Sequence, residues 1–463
     1  LRRPSPPRQS LLQQSPLREI ALVTEQLIVH PQLSPLRGSV PLPVHEQSLL
    51  PRLALSVVSR GKSTFVAPEE SVSVRVFCEA LALFGVETLR DGKNRVVVGT
   101  GLNGLRSASG PVDVRGEAHV AALLIGLLAG RSFETELWVD GVVAELLGPV
   151  LVEFELARVE ALDEGARVVL VERAGRPPGI ELTTTGIYAW VKQALLLIAL
   201  RADEPTLVDE KLASADHLER AFERARVPLE IVGSQMVVHP PRDADALGPQ
   251  TWEHPGSMEL AAYLAVLGFV VPESEIVVRN VSTNPTAASF LTLARVIGGR
   301  TGTSPRADQS GEPASDVTFA ASSLVARELS GEAMLHVGDG ALPLAVALAR
   351  APGVSTLTDI APERRGGDQR VLSRLVGYLR TAGVNADLTQ QGLVIVGDSK
   401  KRLAPLEVTT GGDARLALVG TLLGFLAEGP SVIDDVACLR DLFPRWVGTL
   451  RALGAHVEVR TVR

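Results

Sequence analysis

"VFCEALALFGVETL" (76–89) joins a helix to a strand through one glycine. Phe77, Ala80, Leu81 and Phe84 recur at helical spacing, Gly85 stops the run, and the residues after it alternate as a strand does. The same order returns along the chain. It breaks near Val227 in "HLERAFERARVPLEIV", at Gly298 in "FLTLARVIGGRTG", at Gly383 in "RLVGYLRTAGVNADL" and at Gly454 in "TLRALGAHVEV". A degenerate copy fits near Ala157 in "LVEFELARVEAL". Successive breaks lie about 71 residues apart, except for a gap of about 85 before Gly383, which predicts six copies of a strand–helix–strand–helix–strand unit.

Between the helices lie β-like runs: "NRVVVGT" (94–100), "ARVVLVER" (166–173), "SEIVVRNVS" (274–282), "GLVIVG" (392–397) and "PSVIDDV" (430–436). The fold class is therefore α/β (α+β), with helices that sheets can shield on all sides. At 463 residues the chain exceeds one ordinary core, and three copies make about one domain. The proline- and glycine-rich segment 240–256 reads as an inter-domain crossing. The expected division is a domain of 24–42 plus 250–463 and a second of 43–249. The Pro-, Ser- and Arg-rich stretch 1–23 is expected to be a disordered tail, or to precede a true start near Val23.

A hydrophobic fraction of 46% with 21% charged residues describes a folded protein. A net charge of −7 argues against a general nucleic-acid binder. The apolar runs Ala194–Leu200 and Leu416–Leu426 are too short to span a bilayer and suit a buried core. Cys78 and Cys438 make no disulfide framework and fit a reducing, cytoplasmic compartment. The eight histidines are scattered, with no pair at the spacing of a metal-binding helix or finger, so no metal is expected. "GTGLNG" (99–104) has the glycine pattern of a dinucleotide loop, but Gly110 and Pro111 block the helix that should follow, which leaves a turn. The paired acids of "RDADALGP" and "IDDV" read as solvated turns.

"RGSVPLPVHEQSLLPRLALSVVSRGKST" (37–64) reads as a strand, a turn at Leu42-Pro43 and an apolar helix ending at Gly61. Such a frame suits an anion, because free N–H groups and the helix dipole meet at the helix start. The loop nevertheless offers Val44, His45, Glu46 and Gln47 where glycine, serine and lysine would serve. "ERRGGDQR" (363–370) suits either an exposed loop or an anion site.

Over residues 24–463 the chain resembles the enolpyruvyl transferases, specifically the 5-enolpyruvylshikimate-3-phosphate synthases. The most specific stretch is "GGDARLALVGTLLGFLAEGPSVIDDVACLRDLFPRWVGTLRALGA" (411–455). It follows without a gap that family's D-H-R-I-A-M-A, E-G turn, I-D-D-x-x-C, F-P and L-G-A. "EIVVRNVSTNPTAASFL" (275–291) resembles its N-P-T-R helix start, "HPGSMELAAYLAV" (254–266) its P-G-D-x-S-S-A, and "LRGSVPLP" (36–43) its D-G-x-x-x-L-P. The resemblance implies two similar domains of three repeats each, with ligands in the cleft between them. The implied reaction moves the enolpyruvyl group of phosphoenolpyruvate onto the 5-hydroxyl of shikimate 3-phosphate, without metal or organic cofactor. Both substrates are polyanions, so the site needs arginines and lysines, plus carboxylates for proton transfer.

The family's ligands are largely missing here. Against its L-P-G-[SD]-K-S-x-S-x-R loop, one register puts Glu46 at the lysine and Pro51 at the arginine; a shift by one restores Ser48 and Arg52 but leaves Gln47 at the lysine. Ala122 takes the arginine of the N-x-G-T-x-x-R helix start. Tyr188, Ala189, Trp190 and Val191 replace S-S-Q-F. Ala287 stands at the N-P-T-R arginine, Asp441 at the lysine before F-P, and Ala414 at the D-H-R histidine. Asp339 stands for the aspartate of L-I-D-E-I-P or misses it by one. At K-E-S-D-R either Asp368 replaces the glutamate and the arginine is lost, or Arg370 survives and Gly367 replaces the acid. Asp413 and Arg415 carry over cleanly.

A charge-assisted hydrogen bond is worth about 1.5–3 kcal/mol net, so four lost donors imply roughly 6–12 kcal/mol, about four or more decades in affinity or rate. Acids at Glu46 and Asp441 add repulsion where phosphate would sit. The expectation is a pseudoenzyme acting through binding or assembly with another protein. Two alternatives stand beside it: an active carboxyvinyl transferase with rebuilt contacts, and a cleft lined by Trp190, Tyr188 and His45 for a less anionic ligand.

Overall fold

The structure is a computed structural model and describes residues 24–68, 70–184, 188–243, 247–286, 288–360 and 369–462. They fall into two compact units, Glu46–His254 and the discontinuous pair 24–45 plus 255–462.

Each unit holds three four-stranded sheets, and all six pair their strands identically. A short edge strand lies parallel to a second strand, the second runs antiparallel to a third, and the third runs antiparallel to the fourth, as a hairpin in five of the six. In the middle copy of the first unit these are Val112–Asp113, Thr135–Val139, Ala166–Leu170 and Ala157–Ala161, in spatial order. One helix, Ala118–Leu128, connects the first two strands, and a second, Gly141–Glu153, leads to the hairpin. The repeating unit thus carries one strand more than the sequence pattern predicts. The hairpin adds a short strand whose alternation merges with that of its partner.

Three copies draw strands from distant chain, among them the copy of Glu275–Ser282, whose parallel neighbour is Arg37–Pro41. In the first unit, Arg60–Phe65 takes its parallel neighbour, Thr251–Trp252, from the segment that leaves the unit. In the second, Thr24–Val29 lies between Ser431–Ile433 and Val457–Val462. The first unit is inserted in a copy of the second, between strand Arg37–Pro41 and helix Met258–Val270.

The first helix of every copy is buried all round. From Ser48 to Val58, from Val120 to Leu128 and from Lys192 to Ala199 every residue of the first unit's three central helices is buried. Helices Met258–Val270, Ala341–Leu348 and Ala414–Leu426 fill the same role in the second. Such packing needs glycine where backbones meet. A Cβ on Gly126 would stand 2.8 Å from the Ala194 carbonyl oxygen and 2.9 Å from the Leu197 Cβ. The apolar runs Ala194–Leu200 and Leu416–Leu426 lie in these central helices. Among the described residues no helix is long and apolar enough to cross a membrane.

The second helix of each copy ends in the same hydrogen-bonded cap. At the first break, the N–H of Gly85 donates to Ala82 and that of Val86 to Leu81, the Schellman arrangement. Gly85, Gly298, Gly383 and Gly454 all hold φ between +84° and +92°. The copies without glycine make the same bonds through Glu155 (φ 54°) and Arg226 (φ 59°), which displaces the breaks expected at Ala157 and Val227 by two residues and one.

The stretch 37–64 also differs from its reading. Its helix spans Glu46–Val58, and Gly61 lies inside strand Arg60–Phe65, where φ is 113°. The Ser59 hydroxyl donates to the Leu55 carbonyl and its N–H to the same oxygen, closing the helix before the glycine. No helix follows "GTGLNG" until Ala118. The acids of "IDDV" are turn-forming ligands of the backbone, not merely solvated: Asp434 accepts from the N–H and hydroxyl of Thr410, and Asp435 from the N–H of Ala437.

Candidate active site

A buried helix exposes unpaired N–H groups at its start, so its first turn decides what that end can attract. In the second unit three starts meet. Ser257 caps Met258–Val270 by accepting from the Leu260 N–H, and Glu259 in the same turn accepts from the Asp339 N–H at 3.2 Å. Asp413 caps Ala414–Leu426 and holds Arg415 through two contacts, 3.0 Å from Nε to Oδ1 and 2.8 Å from Nη2 to Oδ2. Arg415 also stands 3.6 Å from Asp339. Burial opposes ionisation of Asp413, but Arg415 and the backbone N–H donors hold its pKa below the usual range. Two carboxylates thus hold one guanidinium, and a third, Glu259, is bound to the backbone beside them.

Tyr263, one turn further along its helix, is almost wholly buried. Burial, reinforced by Asp339, holds its phenol well above the usual pKa, so it is neutral at pH 7. Burial and the charges of Asp435 and Asp413 push the Cys438 thiol up to about 12, which removes it as a nucleophile. Ala414 is half-buried beside Asp413; Asp441 is exposed in the short helix Leu439–Leu442; Arg370 is exposed in the first turn of helix Gln369–Thr381. Ala287, Gly367 and Asp368 lie outside the described residues, as does most of "ERRGGDQR".

The first unit's central helices start at Glu46, Glu117 and Tyr188. Burial pushes the Glu117 carboxyl up to about 7 against a hydrogen bond from Ser73, and the charges of Glu46 and Asp140 add to the shift. A helix dipole should lower that value, so crowding of acids and loss of water prevail. Gln47 is exposed; Ser48 and Pro51 are buried. Arg52 is fully buried, 3.2 Å from the Nδ1 of His254 and stacked 5.5 Å from the Trp252 ring centre. Its guanidinium serves the interior. Ala122 is buried in the middle of its helix. Tyr188, Ala189, Trp190 and Val191 are half-buried, and the rings of Tyr188 and Trp190 stand 5.4 Å apart, tilted by 60°.

Sequence reading missed the charges one turn inside. Lys192, 2% exposed, meets Glu210 at 3.0 Å and Glu219 at 2.6 Å, and donates to the Ser214 carbonyl. Burial alone would lower the lysine's pKa; the two carboxylates outweigh it and raise it. Burial lifts the Glu219 carboxyl despite that lysine. Beside them His119 donates from Nε2 to Gln193 at 2.7 Å, and desolvation pushes its pKa down to about 4, so it adds no positive charge at pH 7. The sequence signal was weak: a lysine and a glutamine inside an apolar helical run.

Six copies of one sheet around buried helices, with one unit inserted in the other, define the enolpyruvyl-transferase class of fold. EPSP synthase from Acinetobacter baumannii superposes with a TM-score of 0.81 at 20% identity, covering 94% of this chain and all of that one. The enolpyruvyl transferase NikO from Streptomyces tendae gives 0.78 at 16%, covering 96% and 100%. The family model for EPSP synthase (3-phosphoshikimate 1-carboxyvinyltransferase) matches residues 32–450. A 3-phosphoshikimate 1-carboxyvinyltransferase of Geobacter sulfurreducens is 30% identical over 92% of this chain and 97% of its own length. One of Bacillus thuringiensis is 26% identical over 93% and 99%. The chain belongs to the EPSP synthase family.

Proposed function

We propose that this chain keeps the family's frame without its enolpyruvyl transfer and works by binding or assembly, with another protein as its partner. The observation that carries the reading is the state of three cations carried by the central helices. Lys192 is buried between two glutamates, Arg415 is held by Asp413 and Asp339, and Arg52 faces His254 and Trp252. Glu46, Glu259, Asp339 and Asp413 supply negative charge at the starts of those helices. A phosphorylated substrate would have to displace these carboxylates or sit against them. A reducing, cytoplasmic setting goes with this reading, supported by the free thiols of Cys78 and Cys438.

Thermal-shift titration with phosphoenolpyruvate and shikimate 3-phosphate, singly and together, tests the claim, because a ligand of the native state raises its melting point. No shift, and no phosphate release in a single turnover, is the expected result. Saturable stabilisation with phosphate release would establish an active carboxyvinyl transferase. The half-buried Tyr188–Trp190 pair favours a second reading, a site for a less anionic, ring-bearing ligand. Trp190 fluorescence quenched by uncharged cyclic polyols, with no response to the phosphorylated substrates, would select it.

A further inference from the structure

The ladder between Thr24–Val29 and Val457–Val462 continues one pair outward, where the His30 N–H donates to the His456 carbonyl. Antiparallel pairing puts residues opposite and two apart on the same face, so His30, His456 and Glu458 rise together. The two imidazole rings stack at 4.1 Å with planes 8° apart. His30 Nε2 lies 3.2 Å from Glu458 Oε1, and His456 Nε2 lies 3.7 Å from the same oxygen. One ligand atom from each residue falls within 4.8 Å of the others.

We propose that these three side chains bind one zinc-class divalent ion, with water as the fourth ligand. The separations agree: ligands about 2.0–2.1 Å from a tetrahedral centre stand roughly 3.4 Å from each other, and the two measured distances bracket that edge. The parallel stack aims the two Nε2 lone pairs along separate planes, so binding requires the exposed His456 ring to turn out of the stack toward the ion. Two imidazoles and one carboxylate form a donor set that suits zinc, nickel and copper and discriminates against magnesium and calcium, which prefer oxygen. Arg460 Nη2 lies 3.6 Å from the other carboxylate oxygen, Oε2, which leaves Oε1 directed at the imidazoles. His30 and Glu458 are 428 residues apart in sequence, so the site exists only when the sheet is formed. Binding therefore fastens the first described strand to the last and stabilises the native state alone. The reading is independent of whether the helix ends catalyse anything.

The test uses the full chain without a polyhistidine tag. Zinc is titrated by calorimetry and melting point, and cobalt by its visible spectrum. The expected results are one zinc per chain, a melting point that rises with zinc but not magnesium, and intense four-coordinate cobalt bands. His456→Ala removes an exposed side chain and should fold normally; with Glu458→Gln as a second variant, each should weaken zinc binding by more than about tenfold. Affinity should fall on acidification, since an imidazole must be neutral to ligate. Binding weaker than about 100 µM, or zinc binding unchanged in both variants, would overturn the proposal.

Discussion

The two units build the same three sheets around the same three helices, yet among the described residues only the first also sinks cations into its core. The first takes two of its cations inward, Lys192 between Glu210 and Glu219 and Arg52 against His254, while Arg115 stays part-exposed on Asp113. The second keeps Arg415 near the surface, 24% exposed and clamped by Asp413 and Asp339. A buried pair leaves a desolvated charge behind when one partner goes, whereas a half-exposed pair is replaced by water. One architecture therefore tolerates two kinds of neutralised cation, with different energetic consequences.

The largest expected effect lies in the first unit. Lys192→Met strands two carboxylates in the core and should destabilise the protein by about 3–5 kcal/mol at pH 7. The loss should shrink toward pH 4 as Glu219, whose carboxyl burial lifts, takes up a proton, which urea denaturation at both pH values would measure. Equal losses at the two would break the contrast between the units. Next comes Glu117, whose carboxyl is lifted from 4.5 to about 7 in the folded state. A raised carboxyl favours folding below its unfolded pKa, and that advantage is lost as pH rises through the folded value. Glu117→Gln should therefore add about 2–3 kcal/mol at pH 8 and almost nothing at pH 4. A pH-independent difference would refute the shift.

Smaller effects sharpen the repeat itself. Gly85→Ala should cost about 1–2 kcal/mol for a side chain at φ 84°. Glu155→Gly and Arg226→Gly, at exposed left-handed positions, should each gain about 0.5–1 kcal/mol, read as a higher denaturation midpoint. Arg415→Ala should change stability by less than about 1 kcal/mol, because its partners remain hydrated. A loss as large as that of Lys192→Met would mean the second unit's cluster is as dry as the first's.

What the sequence revealed follows from the range of the forces involved. The caps at Gly85, Gly298, Gly383 and Gly454 were legible because the bonds that close them span five residues. Glu155 and Arg226 were displaced because any residue can enter the left-handed region when packing compels it. Gly61 was misread as a helix stop, since a strand glycine and a cap glycine look alike without the pairing partner, here Gly99. The Lys192 network and the His30–His456–Glu458 group were invisible for a different reason. Their members are brought together by tertiary pairing and share no periodicity. Charge-reversed positions such as Glu46 stood out because a resemblance supplied the pattern they violate.

Strand Thr24–Val29 sits in the middle of its sheet, between Ser431–Ile433 and Val457–Val462. During synthesis it leaves the ribosome about 400 residues before either neighbour, a wait of roughly 20–80 s at typical elongation rates. Over that interval the inserted unit can finish folding while "TEQLIV" stays unpaired and open to association with other nascent chains. Chaperone dependence in this protein should accordingly concentrate on its first described strand, and moving that strand to the carboxyl end by circular permutation should relieve it.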